Sequence, residues 1–401
     1  MKTSKIILAA LAVVLPLSAN AQMPRMGIQF PEYQFTTVKA NPITSIKNQA
    51  SSGDCWSYST ISFVESEIIR INGIKDEAKY PCLAEHFVVA HSYSDRAEKF
   101  VRLDGNLTFG AGSEADDVLD VIRAYGIVPR SEFSGMNYGT ELPAQSEVDA
   151  VLHSYVSAIA KNPNRTLTTA WKRGFDALVA EYFGKYPETF TVDGKTYTAE
   201  SYRDALNFNP DDYVTLTSFT HHPFYTEFAI EVADNWRWDK AYNLPIDEFM
   251  QCLDNAIMNG YTAAWGSDVS EAGFNSREGV ALLIDAAKMA APGSDQARWT
   301  GEAGAAPKAP ASIAEREATQ ESRQEGFDRK TITDDHGMHI YGIAKDQFGR
   351  KFYLVKNSWG ETGTYKGIWY ASENFVAGKS MDIMVHKSAL PKDIAKKLGI
   401  K

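Results

Sequence analysis

A cysteine stands at position 55 in the run Lys47-Asn48-Gln49-Ala50-Ser51-Ser52-Gly53-Asp54-Cys55-Trp56-Ser57-Tyr58-Ser59. Thiol catalysis starts from a thiolate, and the first turn of a helix favours one through its free N–H groups and positive dipole end. Trp56 to Arg70 contains no glycine or proline. Its apolar residues Trp56, Ile61, Val64, Ile68 and Ile69 fall roughly on one helical face. That spacing predicts a helix with Cys55 in its first turn. Gly53 lets the backbone turn tightly and leaves room for a substrate. Gln49 can turn an amide N–H toward the place where an oxyanion forms. A lone cysteine at a helix start is more often a small buried hydrophobe; the complete string is what argues for a nucleophile.

A base and its orienting partner stand far downstream. Asp335-His336-Gly337-Met338-His339-Ile340-Tyr341-Gly342-Ile343 reads as a strand with a histidine at its start. Phe352-Tyr353-Leu354-Val355-Lys356-Asn357-Ser358-Trp359-Gly360 reads as a second strand, and Asp346-Gln347-Phe348-Gly349 as the turn between them. The hairpin places His336 at a strand start near Asn357 at a strand exit. His339, three residues on, points to the opposite sheet face and reads as structural.

These side chains must be held by the rest of the chain. Helical patterns run over Leu83–Tyr93 and over Glu114–Tyr125, where Gly126 gives the stop, then over 147–161 and 167–183. Phe109-Gly110-Ala111-Gly112-Ser113 is a glycine-bearing loop. Phe190 to Thr198 alternates β-formers around Asp193-Gly194, a hairpin signal. Ser201–Asn207 is a short helical stretch, while Asp211–Trp238, aromatic and polar, fits no single pattern. A helix opens near Pro245 and runs to Asn259, and Thr262–Val269 reads as a buried strand. Residues 286–323, rich in Ala, Pro, Gly and charge, read as a long surface loop with a short helix at 311–322.

The string around Cys55 resembles the active-site segment of papain-like cysteine peptidases. Ser52 replaces a cysteine that normally forms a disulfide there, and the form Ser-Ser-Gly-Asp-Cys-Trp resembles the bleomycin hydrolase/aminopeptidase C family. His336, six residues before Gly342, and the Asn357-Ser358-Trp359-Gly360 run match the same pattern, as do Leu83-Ala84-Glu85, Tyr125 to Pro129 and Tyr242 to Val269. The resemblance implies an α+β, two-lobed papain-like fold, helical lobe against antiparallel β lobe, with a large helical insertion. The implied divisions are 22–140 for the arm and helical lobe, 141–323 for the insertion, and 324–401 for the β lobe and tail. The insertion also explains why 281 residues separate Cys55 from His336, against about 130–150 in papain-type enzymes. The implied site is Cys55 as nucleophile, His336 as base, Asn357 as orienter, Gln49 at the oxyanion, Trp359 shielding the His–Asn bond, and Gly112 pairing its backbone with substrate. The implied activity is a cysteine peptidase, an aminopeptidase by family, with peptides as partners, no cofactor, and the family's hexameric homo-oligomer. The tail from Pro391 to Lys401 looks shorter than the family's C-terminal arm, so endopeptidase action stays open beside it. A transglutaminase-like enzyme would use Asp where Asn357 stands, and a silent peptide-binding protein would ordinarily lack the nucleophile.

Composition sets the remaining bounds. The 401 residues are 44% hydrophobic, enough for a sizeable core. Met1–Ala21 reads as a signal peptide: Lys2 and Lys5, an apolar Ile6–Leu17, then Ala19-Asn20-Ala21. Its apolar run is too short for an anchor, so the expectation is export to the periplasm or medium, with no membrane association after cleavage. Cleavage leaves 39 basic against 51 acidic residues, a net charge of −12, which argues against nucleic acid. Three cysteines build no disulfide framework; Cys82 and Cys252 either pair or, the reading favoured, are two buried thiols. His221-His222 has no i, i+4 partner or nearby carboxylate motif, so a structural role is expected and no metal.

Overall fold

Fourteen of the seventeen residues of helix α1 (Cys55–Ile71) are buried. A helix hidden on nearly every side lies inside its protein rather than on it, and α1 is wedged between other helices and a sheet. The computed structural model describes residues 30–163, 166–285 and 312–400; the expected signal peptide and most of the 286–323 loop lie outside them. Helices α2 (Glu85–Arg102), α3 (Ala115–Tyr125), α4 (Ser146–Ala160), α5 (Ala170–Phe183) and α6 (Ala199–Ala205) follow α1. They share one core through Phe63, Phe87, Tyr93, Val121, Leu152 and Phe175. Gly126 ends α3 at φ +77°, a conformation that costs other residues more. Helices α7 (Ile246–Met258), α8 (Gln320–Asp328), α9 (Glu373–Lys379) and α10 (Lys392–Lys397) complete the described set.

The strands are β1 (Thr36–Ala40), β2 (Phe190–Val192), β3 (Lys195–Tyr197), β4 (Tyr213–Thr217), β5 (Glu227–Ala229), β6 (Lys240–Asn243), β7 (Ala263–Ser267), β8 (Phe274–Asn275), β9 (Val280–Ala281), β10 (His336–Lys345), β11 (Lys351–Lys356), β12 (Ile368–Ser372) and β13 (Ser380–His386). β2 and β3 form the expected hairpin, with Asp193 and Gly194 both at positive φ, as a two-residue I′ turn requires. The other eleven make one sheet, ordered β5-β6-β4-β13-β7-β10-β11-β12-β9-β8, with β1 also on β10. β10 pairs β7 along its first half, from His336 opposite Ser267 to Ile340 opposite Ala263. It pairs β1 along its second half and β11 on its other edge. A second core, including Phe249, Trp265, Tyr353, Phe375 and Ile383, lies on this sheet.

Residues 141–323 are not purely helical: they supply six strands of the sheet, β4 to β9, besides the hairpin. The reason is local. Tyr213-Val-Thr-Leu-Thr is buried at every position, and its alternation of Val214 and Leu216 with threonines lasts only five residues inside an aromatic and polar stretch, too short to stand out. The helix expected at 311–322 begins instead at Gln320, where Thr319 and Ser322 cap it reciprocally. Cys82 and Cys252 do not pair, and only one is buried: Cys252 is sealed in the second core, whereas Cys82 is exposed with Lys47 Nζ 3.1 Å from its sulfur. Among the described residues no helix is long and apolar enough to cross a membrane.

Candidate active site

Cys55 is the first residue of α1, and Asp54 before it is fully buried. Asp54 Oδ2 accepts from Gln145 Nε2 at 2.6 Å and lies 3.4 Å from His86 Nε2. The Asp54 charge, acting against burial, holds the His86 imidazole above its ordinary pKa. The residue that turns the chain into α1 is thus anchored from behind. On the other side, Gly337 of β10 presses on the helix start. A Cβ there would meet Ser59 Oγ at 2.7 Å and the Cys55 carbonyl oxygen at 3.2 Å. Its N–H donates to the Cys55 sulfur. Glycine therefore brings the His336 strand against the Cys55 helix as closely as backbone allows.

The two distant segments are also joined directly. Gln49 N–H donates to Ser358 O at 2.8 Å, and Gly360 N–H to Lys47 O at 2.9 Å. Ser358 Oγ donates to Gln49 Oε1 at 2.5 Å. The Gln49 amide oxygen is thereby occupied and its Nε2 is left as donor, one hydrogen going to Ser52 O at 3.0 Å. His336 and Asn357 meet as expected, with Nε2 2.8 Å from Asn357 Oδ1. Oδ1 also accepts from Ser358 N–H at 2.7 Å, so the oxygen end of the amide faces the ring. Nε2 then carries the ring proton and Nδ1 is the free base. Trp359 lies over the pair, its ring centroid 4.8 Å from that of His336. His339 goes elsewhere: it is fully buried, Nδ1 2.9 Å from Ser62 Oγ on α1.

Cys55, His336, Gln49, Trp359 and Gly112 all line one cavity of about 410 Å³. Gly112 packs on the Asp234 carboxylate, where a Cβ could not fit, and its carbonyl already accepts from Arg96. The Gly110–Gly112 loop is tied to α1 by Trp56 Nε1, which donates to Ala111 O at 2.9 Å. Burial pushes the Cys55 thiol up to about 12 and the His336 imidazole down to about 4. Each group alone is therefore held neutral. Attraction between thiolate and imidazolium works against both shifts, and so do the N–H groups of Gly337 and Trp56 on the sulfur. A proton moving from sulfur to Nδ1 gains both.

Sequence reasoning passed over the acids of this cavity. Among the described residues its lining holds Glu114, Asp234, Asp334, Asp335 and Asp382, with no lysine or arginine. They come from the cap of α3, the unassigned 211–238 stretch, the approach to β10, and β13. Burial raises Asp334 to about 7 and Asp382 to about 6, and burial and the charges of Asp334 and Asp382 raise Glu114 as well. Glu114 Oε1 is sealed from solvent without a hydrogen-bond partner. Only Asp334 and Asp335 carry a signal in the sequence, as carboxylates directly before the histidine.

The Peptidase C1-like family matches residues 314–400. Aminopeptidase G of Lactobacillus delbrueckii subsp. lactis is 22% identical over 399 residues, 88% of this chain and 83% of its own. Human bleomycin hydrolase is 22% identical over 420 residues, 93% of this chain and 86% of its own. The crystal structure of PepW from Lactobacillus rhamnosis shares the fold, with a TM-score of 0.67 at 17% identity over 91% of this chain and 84% of that one.

Proposed function

We propose that the chain is a papain-like cysteine peptidase akin to its aminopeptidase G and bleomycin hydrolase relatives, and that it releases N-terminal residues from peptides through a thioester on Cys55. His336 Nδ1 takes the thiol proton, and the sulfur attacks the peptide carbonyl carbon. The resulting oxyanion is received by the Cys55 N–H and Gln49 Nε2–H. As the C–N bond breaks, His336 returns the proton to the leaving amine. Water, deprotonated by the same imidazole, then hydrolyses the thioester. Asn357 keeps Nε2–H engaged, so the ring offers Nδ1 to the sulfur throughout.

The observation that carries the exopeptidase reading is the pairing, in one cavity, of the thiol and imidazole with five carboxylates and, among the described residues, no lysine or arginine. An ammonium is what such a lining favours, and the first residue of a peptide carries one beside its scissile bond. The test is a comparison of fluorogenic peptides with free and acetylated N-termini. The free-amine substrate should have the higher kcat/KM by at least tenfold. Equal cleavage of both would make the enzyme an endopeptidase. No cleavage of either, with no alkylation of Cys55 by an epoxide inhibitor, would make it a silent binding protein. Export after cleavage at Ala21 belongs to the same proposal, and the N-terminal sequence of the secreted protein tests it.

A further inference from the structure

Away from the cavity, the chain between β4 and β5 carries His221 and His222, and Glu231 follows β5 by two residues. The structure folds this carboxylate back between the two rings. His221 Nε2 lies 3.0 Å from Glu231 Oε2, and His222 Nε2 lies 2.9 Å from Oε1. One donor atom from each of the three residues lies within 4.8 Å of the others. The expectation of no metal rested on the absence of a carboxylate beside the histidines in sequence; folding supplies one ten residues on.

The rings are also held in place. His222 stacks on Phe228, with centroids 4.2 Å apart, and His221 on Phe327 of α8, 5.4 Å apart. Gln324 of α8 meets His221 Nδ1 with both ends of its amide, Nε2 at 3.1 Å and Oε1 at 3.3 Å. That amide can accept from Nδ1–H as readily as it can donate to a bare Nδ1. His221 is therefore free to present Nε2 as a lone pair, with its far nitrogen supported as the imidazole ligands of metal sites are.

We propose that His221, His222 and Glu231 form a binding site for a divalent transition-metal ion of the zinc type. Two imidazole nitrogens and one carboxylate oxygen are a zinc donor set, with the fourth position left to water. Zinc bonds of about 2.0–2.1 Å in a tetrahedron set neighbouring ligand atoms about 3.3 Å apart. The two rings now meet different oxygens of Glu231, at 3.0 and 2.9 Å, so the carboxylate has to turn until one oxygen serves the ion, and donor atoms that lie within 4.8 Å of one another draw in to that spacing. No thiol takes part, which favours zinc over copper(I). The ion would fasten the β4–β5 connection to α8 through Gln324 and Phe327. Its role is structural, and it does not depend on the peptidase chemistry.

Equilibrium dialysis against zinc chloride tests this on the full chain with its thiols alkylated, so that Cys55 and Cys82 do not compete. One zinc per chain should be retained at micromolar free metal, and zinc should raise the melting temperature. Glu231→Gln, at an exposed position, and His222→Ala should each weaken binding at least tenfold and abolish the thermal shift. Retention of less than one zinc per five chains, or equal retention by wild type and both variants, would overturn the proposal.

Discussion

β10 carries two histidines three residues apart, both buried and both held neutral by burial, yet its two ends do different things. At the open end His336 has an orienting amide on Nε2 and Nδ1 free toward a cavity that holds a thiol. In the sealed middle His339 spends Nδ1 on Ser62, and its Nε2 meets no partner. Neither burial nor a lowered pKa distinguishes them. What distinguishes them is what lies at the second nitrogen.

The largest effect that can break this comparison comes from deleting the rings in turn. His336→Ala should lower kcat/KM by about 10⁴-fold or more, as loss of a base in a nucleophile–base unit does. Its thiol, left with burial and only the Gly337 and Trp56 N–H groups against it, should be alkylated by iodoacetamide at pH 7 at least 100-fold more slowly than in wild type. His339→Leu should keep kcat/KM within threefold. Comparable losses in both variants would mean that β10 is needed as a scaffold and that its open end has no chemical role.

Gly337, between the two histidines, gives the next effect. Its Cβ position falls 2.7 Å from Ser59 Oγ, and 3.2 Å from the Cys55 carbonyl oxygen and Trp56 Cα. Gly337→Ala must move β10 and α1 apart beside the cavity that Cys55 and His336 share. A misplacement of about 1 Å costs on the order of 100-fold in rate, so kcat should fall about 10- to 100-fold, with KM changed much less. An unchanged kcat would show that the approach of strand to helix is looser than the contacts require.

These contrasts show what the sequence could carry. Gln49, Cys55, His336, Asn357 and Trp359 were legible because each sits in a short local string; the structure brings four of them to one cavity and sets Asn357 behind His336. Most of the α-helical half was legible for the same reason: the observed ends of α1, α3, α4 and α5 lie within about three residues of the expected ones, whereas α2 runs nine residues past its expected end at Tyr93, to Arg102. Asp234, Glu114 and Asp382 were not legible. Each is an ordinary surface-type residue in sequence, gathered into the cavity by contacts among α3, β13 and the 234–237 segment. Glu231 was hidden for the same reason, since only the β5 turn returns it to His221 and His222. β4 was missed because its alternation of Val214 and Leu216 with threonines is only five residues long and stands in an aromatic and polar stretch of mixed pattern.

Stability against pH gives the smallest and sharpest contrast, because the sealed middle of β10 and the approach to its open start should respond with opposite signs. His339 is held well below its ordinary pKa by burial and by Lys356. An unfolded histidine binds a proton below about 6.5 that the folded one refuses, so the stability this group contributes is present above that pH and lost as pH falls. His339→Leu should cost about 1–3 kcal/mol at pH 7.5, since Ser62 loses its partner, and that deficit should shrink toward pH 5. Asp334, at the open end, is raised to about 7, chiefly by burial. The folded carboxyl keeps a proton that the unfolded one sheds near 4, so its stability is present at low pH and lost as pH rises through about 7. Asp334→Asn removes that loss. The variant should gain on wild type between pH 5 and pH 8, by about 2–3 kcal/mol, or roughly 4 °C in melting temperature. Parallel pH profiles for the two variants would mean that the strand has one environment along its length, and that the cavity end is not distinct.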